Sequence, residues 1–314
     1  MKTRIIIALI CLTGVTANAQ QDVQFTNFNL YKPFYNPGAL IETDDICGSV
    51  IARNQWSGFG GNPQSFLMNV GYKISDNHTA GLNILSDELG QQHSNLVKLG
   101  YAYRHQLLSG LQIGAGFNIS WFQSRWGGSY ITPDTAPIDD LSIPDGGVQS
   151  SVLDVDAGLF LQKDGLYVGL SSSHLNQGQF TSTSHSASNF SFDSKRHYYI
   201  VAGYQVGSII GDLRPSLFVK SDGASTQLDV QVKDWIQQKY MVGLNYRLGA
   251  SIDPMIGYMH AFGTCTVSAQ YSYGIITNQI SQYTSGTHEF GIHFCYKKPV
   301  FRTRSVNPRW LGSY

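Results

Sequence analysis

Charge is what this sequence has least of. Asp, Glu, Lys and Arg make up 13% of its 314 residues, against about 25% in an ordinary soluble domain. The 21 basic and 21 acidic residues cancel. A protein that neutralises phosphates needs a basic excess, so nucleic acid is excluded as a partner. Long hydrophobic runs are missing too: beyond the N-terminus, no segment approaches the ~20 apolar residues of a membrane helix. Cysteine is scarce, with four residues, one of which (Cys11) lies in the N-terminal apolar run. Strand parity puts Cys265 with an apolar set and Cys295 with a polar one, which argues against a bridge between those two. Cys47, Cys265 and Cys295 are therefore expected to be small packing residues, not a disulfide framework or a metal site.

What the sequence does have begins with an export signal. Lys2 and Arg4 precede an apolar run from Ile5 to Val15, and Ala17-Asn18-Ala19 supplies a small-x-small cleavage site. Residues 1–19 are read as a secretory signal peptide. Removing Lys2 and Arg4 leaves 19 basic against 21 acidic residues, a net charge of −2.

The mature chain alternates with period two. Leu111, Ile113, Ala115, Phe117, Ile119 and Trp121 alternate with glycine, amide and hydroxyl residues. Leu153, Val155, Ala157, Leu159 and Leu161 alternate with Asp154, Asp156, Gly158, Phe160 and Gln162. Period two separates the sets onto opposite strand faces. An unbroken apolar face opposite a small, polar, glycine-rich one fits lipid outside and a crowded lumen inside. The pattern recurs from Ile46 to Tyr296, and the charges fall almost wholly on the non-lipid parity, since a midplane Lys or Arg on the lipid face costs ~2–4 kcal/mol. The expected fold is all-β: a transmembrane antiparallel β-barrel of about 14 strands over 46–296. Short turns at Ser75-Asp76-Asn77, Leu108-Ser109-Gly110, Lys163-Asp164-Gly165 and Phe262-Gly263 alternate with long loops at 55–62, 127–147, 175–194 and 277–285. The short turns are assigned to the periplasmic side, and an even strand count puts both termini there. The stretches around Asp222-Gly223 and from Lys233 to Gln238 break this rule.

Residues 20–45 carry Phe25, Phe28, Tyr31, Phe34 and Tyr35. So aromatic a segment is expected to tuck into the lumen or pack beneath the barrel, with a short helix over Phe25–Tyr31 stopped by Pro33. The periplasmic tail 297–314 contains Lys297, Lys298, Arg302, Arg304 and Arg309 without an acid. It suits an acidic partner or cell-wall polymer, or simply solvent.

Several pieces of the chain occur in the order of a known family. They are Gln24-Phe25, Asn36-Pro37, Arg53-Asn54-Gln55-Trp56-Ser57-Gly58, Asn62-Pro63-Gln64, Arg214-Pro215-Ser216-Leu217, Gln227-Leu228-Asp229-Val230, Gly243-Leu244-Asn245-Tyr246-Arg247, Gly257-Tyr258, Tyr271-Ser272-Tyr273 and Ser285-Gly286-Thr287-His288-Glu289. The set resembles the PorP/SprF family of type IX secretion outer-membrane proteins of Bacteroidetes. Departures are Gly38, where the family usually has Ala, and Gly274, where it often has Asp. The resemblance implies a non-enzymatic role without cofactor or metal. It also implies a partner, either a periplasmic ring lipoprotein or a large secreted adhesin that is exported or held at the surface. The barrel pattern alone equally permits a diffusion channel or small-solute transporter.

The residues that could carry function are few. Arg53, Gln55 and Trp56 open the first long loop and suit a partner contact; closing the lumen and fixing that loop is the simpler role. Asn36, Pro37, Arg247, His288 and Glu289 join them as motif positions. Asp154 and Asp156 share an inward face and could be paired carboxylates for acid–base chemistry. Ion pairing with inward Lys98, Arg104, Arg214 or Arg247 is the expected use. Asp134, Asp139, Asp140 and Asp145 lack the spacing of a strong calcium loop. None of the nine His has Ser two residues on, which counts against a barrel lipase. The long loops are the expected surface for a secreted partner.

Overall fold

The structure, a computed structural model, describes residues 22–58, 60–127, 148–181 and 191–299. Residues 1–19, expected to be a signal peptide, Asp134 to Asp145, and Arg302, Arg304 and Arg309 lie outside the described residues.

Fourteen strands form one closed antiparallel ring. The first seven are β1 (Ile46–Asn54), β2 (Gln64–Lys73), β3 (His78–Leu89), β4 (Gln92–Gln106), β5 (Gln112–Trp126), β6 (Val148–Lys163) and β7 (Leu166–Ser173). The rest are β8 (His197–Tyr204), β9 (Gly211–Ser221), β10 (Thr226–Ile236), β11 (Tyr240–Arg247), β12 (Ser251–Phe262), β13 (Cys265–Ile276) and β14 (Thr287–Tyr296). Each strand pairs with its neighbours in sequence, and β1 pairs with β14 to close the ring, with Ile46 opposite Tyr296 and Asn54 opposite His288. No described helix is long and apolar enough to cross a membrane; the strands do that.

Two surroundings impose the alternation. Outward residues such as Leu99, Ile119, Leu153, Leu159, Ile256 and Phe290 are exposed and make a continuous apolar belt. Their inward neighbours Lys98, Asn118, Asp154, Asp156 and Glu289 are buried. With an even number of strands, the start of β1 and the end of β14 lie at one rim, the short-turn end. Residues 55–63, 127–147 and 174–196 connect strands at the other, the long-loop end.

Two expectations change here. The irregular stretch from Lys233 to Gln238 is mostly strand: Lys233 continues the inward parity of Asp229 and Gln231, with its ammonium bonded to Asn27 Oδ1 at 3.1 Å and Gln270 Oε1 at 3.0 Å. Around Asp222, a tight turn closes on its own side chain, which accepts from the Ala224 and Ser225 amides at 2.9 and 2.6 Å. The cysteines also change. Cys47 and Cys295 are directly opposite across the β1–β14 closure, with Cα atoms 4.1 Å apart, and form a disulfide. Both have inward parity, which the comparison of Cys265 with Cys295 left untouched. Cys265 is free.

Candidate functional site

The lumen is filled by the segment that precedes β1. Residues 22–45 fold into a 3-10 turn (Phe28–Leu30), one α-helical turn (Lys32–Tyr35) and a second 3-10 stretch (Pro37–Glu42). Pro33 does not stop a helix, as the sequence suggested. It sits in the first turn of the next one, where its missing N–H costs nothing.

Apolar packing holds this plug. Phe25, Phe28, Tyr31, Phe34, Tyr35, Leu40 and Ile41 are buried against inward residues of the wall, among them Ile51, Leu67, Leu96, Phe160, Val201 and Phe218. Phe28 stacks on Phe218 with ring centroids 5.2 Å apart, and Tyr35 packs on the same ring at 4.7 Å. Each such side chain contributes roughly 1.5–3 kcal/mol relative to exposure. The lumen centre is therefore a dry core, unlike the wet interior of an open pore.

The wall is cut to fit. The Asn36-Pro37-Gly38 turn lies on a floor made by Gly114 and Gly116 of β5 and Gly158 of β6, where Gly116 and Gly158 are cross-strand partners. A Cβ on Gly158 would stand 2.2 Å from Asn36 Oδ1, and one on Gly116 2.5 Å from the Pro37 carbonyl carbon. Asn36 Oδ1 accepts from the Gly38 amide at 3.0 Å, and Asn36 Nδ2 donates to the Leu159 carbonyl at 3.0 Å. Gly81 and Gly100 leave room for Leu40 in the same way.

Polar clamps complete the fastening. Glu289 of β14 accepts from the Thr26 and Asn27 amides, each at 2.7 Å, and pairs with Arg53 Nη1 at 2.8 Å. Arg53 also donates to Thr26 Oγ1 at 3.1 Å. The carboxylate thus joins the plug to β1 across the closure seam. Lys32 pairs with Glu42 at 2.8 Å inside the plug and lies 3.9 Å from the centre of the Tyr167 ring. Burial pulls the Lys32 ammonium down, but Glu42 more than restores it. On the opposite wall, Lys98 pairs with Asp156 at 2.8 Å and sits 4.4 Å above the Phe34 ring. Arg247 pairs with Asp229 at 2.8 Å, and Asn245 links that pair to Asp253.

At the long-loop end, Asp22 opens the described plug beside two buried histidines. Its Oδ1 lies 3.1 Å from His174 Nε2, and its Oδ2 lies 3.7 Å from His197 Nδ1 and accepts from the Tyr199 hydroxyl. His174 Nδ1 is bonded to Asp154. Burial pushes the Asp22 carboxyl up, yet His197 and His174 hold it well below the ordinary carboxylate range. Burial likewise opposes the charge on His174, but Asp22 and Asp154 raise it to about 10. Asp22, His174 and His197 could hold a metal ion; Cys47, His293 and Cys295 also cluster, but the two sulfurs are bonded to each other.

The type IX secretion system membrane protein PorP/SprF profile matches residues 17–294 of the 314. The chain belongs to the PorP/SprF family. It is therefore an outer-membrane component of the type IX secretion system. No curated protein matches it. Among solved structures, this PorP/SprF barrel is similar to the Ralstonia pickettii toluene transporter TbuX, at 12% identity and a TM-score of 0.52 over 84% of this chain and 92% of that one. It is also similar to the CymD monoaromatic hydrocarbon channel, at 13% identity and a TM-score of 0.51 over 87% and 94%. At these identities the likeness is one of fold. The family is one of membrane secretion proteins, not a known class of enzyme.

In this PorP/SprF chain the motif residues separate by role. Asn36, Pro37, Arg53 and Glu289 meet at the plug. Gln55 accepts from Arg53 Nε at 3.3 Å. Trp56 takes its backbone amide to Thr287 Oγ1 at 3.2 Å, so it fixes the first loop against β14 and does not stack on Arg53. His288 points outward, bonded to the Tyr271 hydroxyl at 2.8 Å. Of the residues read as a lumen charge network, Lys98 and Asp156 are brought together as an ion pair. Asp154 binds His174. Arg104 lies at the short-turn rim and donates to the Asp76 carbonyl at 2.8 Å. Arg214 is half-exposed over the Trp235 ring, with Asp212 3.9 Å away. Both arginines have the inward parity but sit too near the rim to reach Asp154 or Asp156. Sequence reasoning missed Asp22, His174 and His197, which are 152 and 175 residues apart along the chain from Asp22 and share no local motif.

Proposed function

We propose that this protein is a non-conducting scaffold of the type IX system, which exports or holds a secreted protein at its long-loop end. In this reading the short-turn end, with both termini, faces the periplasm and is offered to a ring lipoprotein. The observation that supports it most is the plug: a lumen closed by a packed aromatic core and the Arg53–Glu289 clamp is built to stay shut. The cavities flanking the plug are small, about 280 Å³ near Asp22 and Trp56 and about 410 Å³ near Lys32 and Arg214.

Planar-bilayer recordings test the scaffold directly. The purified protein is expected to be silent, and a variant lacking residues 22–45, checked for an intact barrel by heat-modifiable gel mobility, is expected to conduct. Affinity capture from solubilised outer membranes is expected to bring down a large secreted adhesin or a ring lipoprotein, and which of the two appears assigns the role. The likeness to TbuX and CymD favours a second reading, a channel for small apolar solutes. Steady conductance or solute uptake by the intact protein, with nothing specific captured, would replace the scaffold with that channel.

A further inference from the structure

The cluster at the start of the plug is built differently from the other lumen contacts. Elsewhere a lysine or arginine meets a carboxylate or, at Lys233, two side-chain amides; here two buried imidazoles converge on Asp22. We propose that Asp22, His174 and His197 form a binding site for one Zn²⁺ ion, which fastens the start of the plug to the barrel wall.

Four observations carry this. First, one ligand atom from each residue falls within 4.8 Å of the other two. Asp22 Oδ1 and His174 Nε2 are 3.1 Å apart, close to the ~3.4 Å between two tetrahedral ligands that each lie ~2.1 Å from a shared ion.

Second, both rings are oriented as metal-ligating histidines are. An oxygen holds Nδ1 in each case, the Asp154 carboxylate for His174 and the Lys195 carbonyl, at 2.9 Å, for His197. Such partners place the proton on Nδ1 and turn Nε2 toward Asp22: that of His174 lies 3.1 Å from its carboxylate, and that of His197 accepts its backbone N–H in a long bond of 3.5 Å, which an ion would displace. Asp154 is then the outer carboxylate of a carboxylate–histidine–metal relay, a role that gives this inward acid a purpose the lumen charge pairs did not.

Third, the remaining atoms of Asp22 are spoken for in a way that aims its carboxylate. Tyr199 donates to Oδ2, and Lys220 Nζ donates to the backbone carbonyl at 2.7 Å instead of pairing with the carboxylate. Lys98, the other cation near Asp22, is held by Asp156.

Fourth, the donor set fits. Two imidazoles and one carboxylate, with a fourth position left for water, suit Zn²⁺ better than the all-oxygen shells of calcium or magnesium. The ion's two charges neutralise Asp22 and Asp154 together. Asp22 belongs to the plug, His174 follows β7 and His197 begins β8, and the ion would tie these three segments with one contact.

The test uses the mature full-length protein in detergent, stripped with a chelator and then titrated with Zn²⁺. Calorimetry and elemental analysis after gel filtration should find one ion per chain, and Co²⁺ in its place should give the visible absorption of a four-coordinate site. His197→Gln and Asp22→Asn should each abolish stoichiometric uptake. Asp154→Asn keeps all three ligands and should weaken binding about ten- to a hundredfold. Heat-modifiable mobility identifies any variant whose barrel has not formed. Wild-type protein that takes up no stoichiometric ion would overturn the proposal, as would uptake unchanged in both His197→Gln and Asp22→Asn. In either event the cluster is a hydrogen-bonded latch only.

Discussion

At the scale of single residues, the glycines facing the lumen and the carboxylate of Glu289 carry the most weight. Gly158→Ala forces a methyl group to 2.2 Å from Asn36 Oδ1, so either the plug turn or β6 must move. Overpacking of this kind costs about 1–3 kcal/mol. Gly207→Ala, whose added Cβ meets nothing within 4 Å, should stay within about 0.5 kcal/mol of wild type. Thermal unfolding in detergent compares the two, and equal melting temperatures would mean that the floor does not grip the plug. Glu289→Gln keeps the shape but leaves Arg53, with 4% of its side chain exposed, without its anion. Removing one partner of a buried pair costs roughly 3–5 kcal/mol. The same melts should show a large drop, accompanied by protease access to the plug; an unchanged melt would make the clamp incidental. The motif reading of Arg53 and Glu289 was visible in the sequence, 236 residues apart, but that they meet was not. Their pairing depends on barrel closure, which no local pattern encodes.

At the scale of elements, alternation made the strands legible because every strand has lipid on one side. Leu99, at the middle of β4, is 63% exposed to that side, while its neighbour Lys98 is buried in the lumen. Leu99→Arg should therefore destabilise the barrel by ~2–4 kcal/mol, whereas the lysine one position earlier is tolerated. Refolding into bilayers under urea titration measures this, and a negligible change would place Leu99 away from lipid. The plug was only half legible. Its aromatic crowding pointed inward, and a second sign went unused: Ile51, Leu67, Leu85, Leu96, Phe160, Val201 and Phe218 are apolar on the polar parity. Large side chains on that face announce a dry lumen. The Lys233 to Gln238 stretch broke the turn-length pattern because Lys233 to Ile236 still belong to β10; Lys233 faces inward, its ammonium held by the side-chain amides of Asn27 in the plug and Gln270 in the wall.

At the scale of the whole molecule, two structures are nested: a ring of strands and a folded segment inside it, joined by apolar packing, by Glu289 and by the Asp22 cluster. The Cys47–Cys295 bond closes the outer ring over a separation of 248 residues. Cutting it by reduction, or by Cys47→Ser with Cys295→Ser, should cost about 2–4 kcal/mol. The cost would appear as a lower heat-modification temperature for reduced than for oxidised protein. Identical temperatures would show that the hydrogen-bonded ladder alone sets stability. The bond was illegible because its register emerges only when the last strand returns to the first.

That bond also limits how cargo can travel. β1 and β14 border both the lipid and the place where the chain comes full circle, which is where a barrel could part sideways to release a client into the bilayer or along its wall. With a covalent tie at the short-turn end, the two strands cannot separate over their full length, and with the interior filled there is no passage along the axis. On the scaffold role proposed above, a client of the oxidised protein would travel beside it, gripped at its rims.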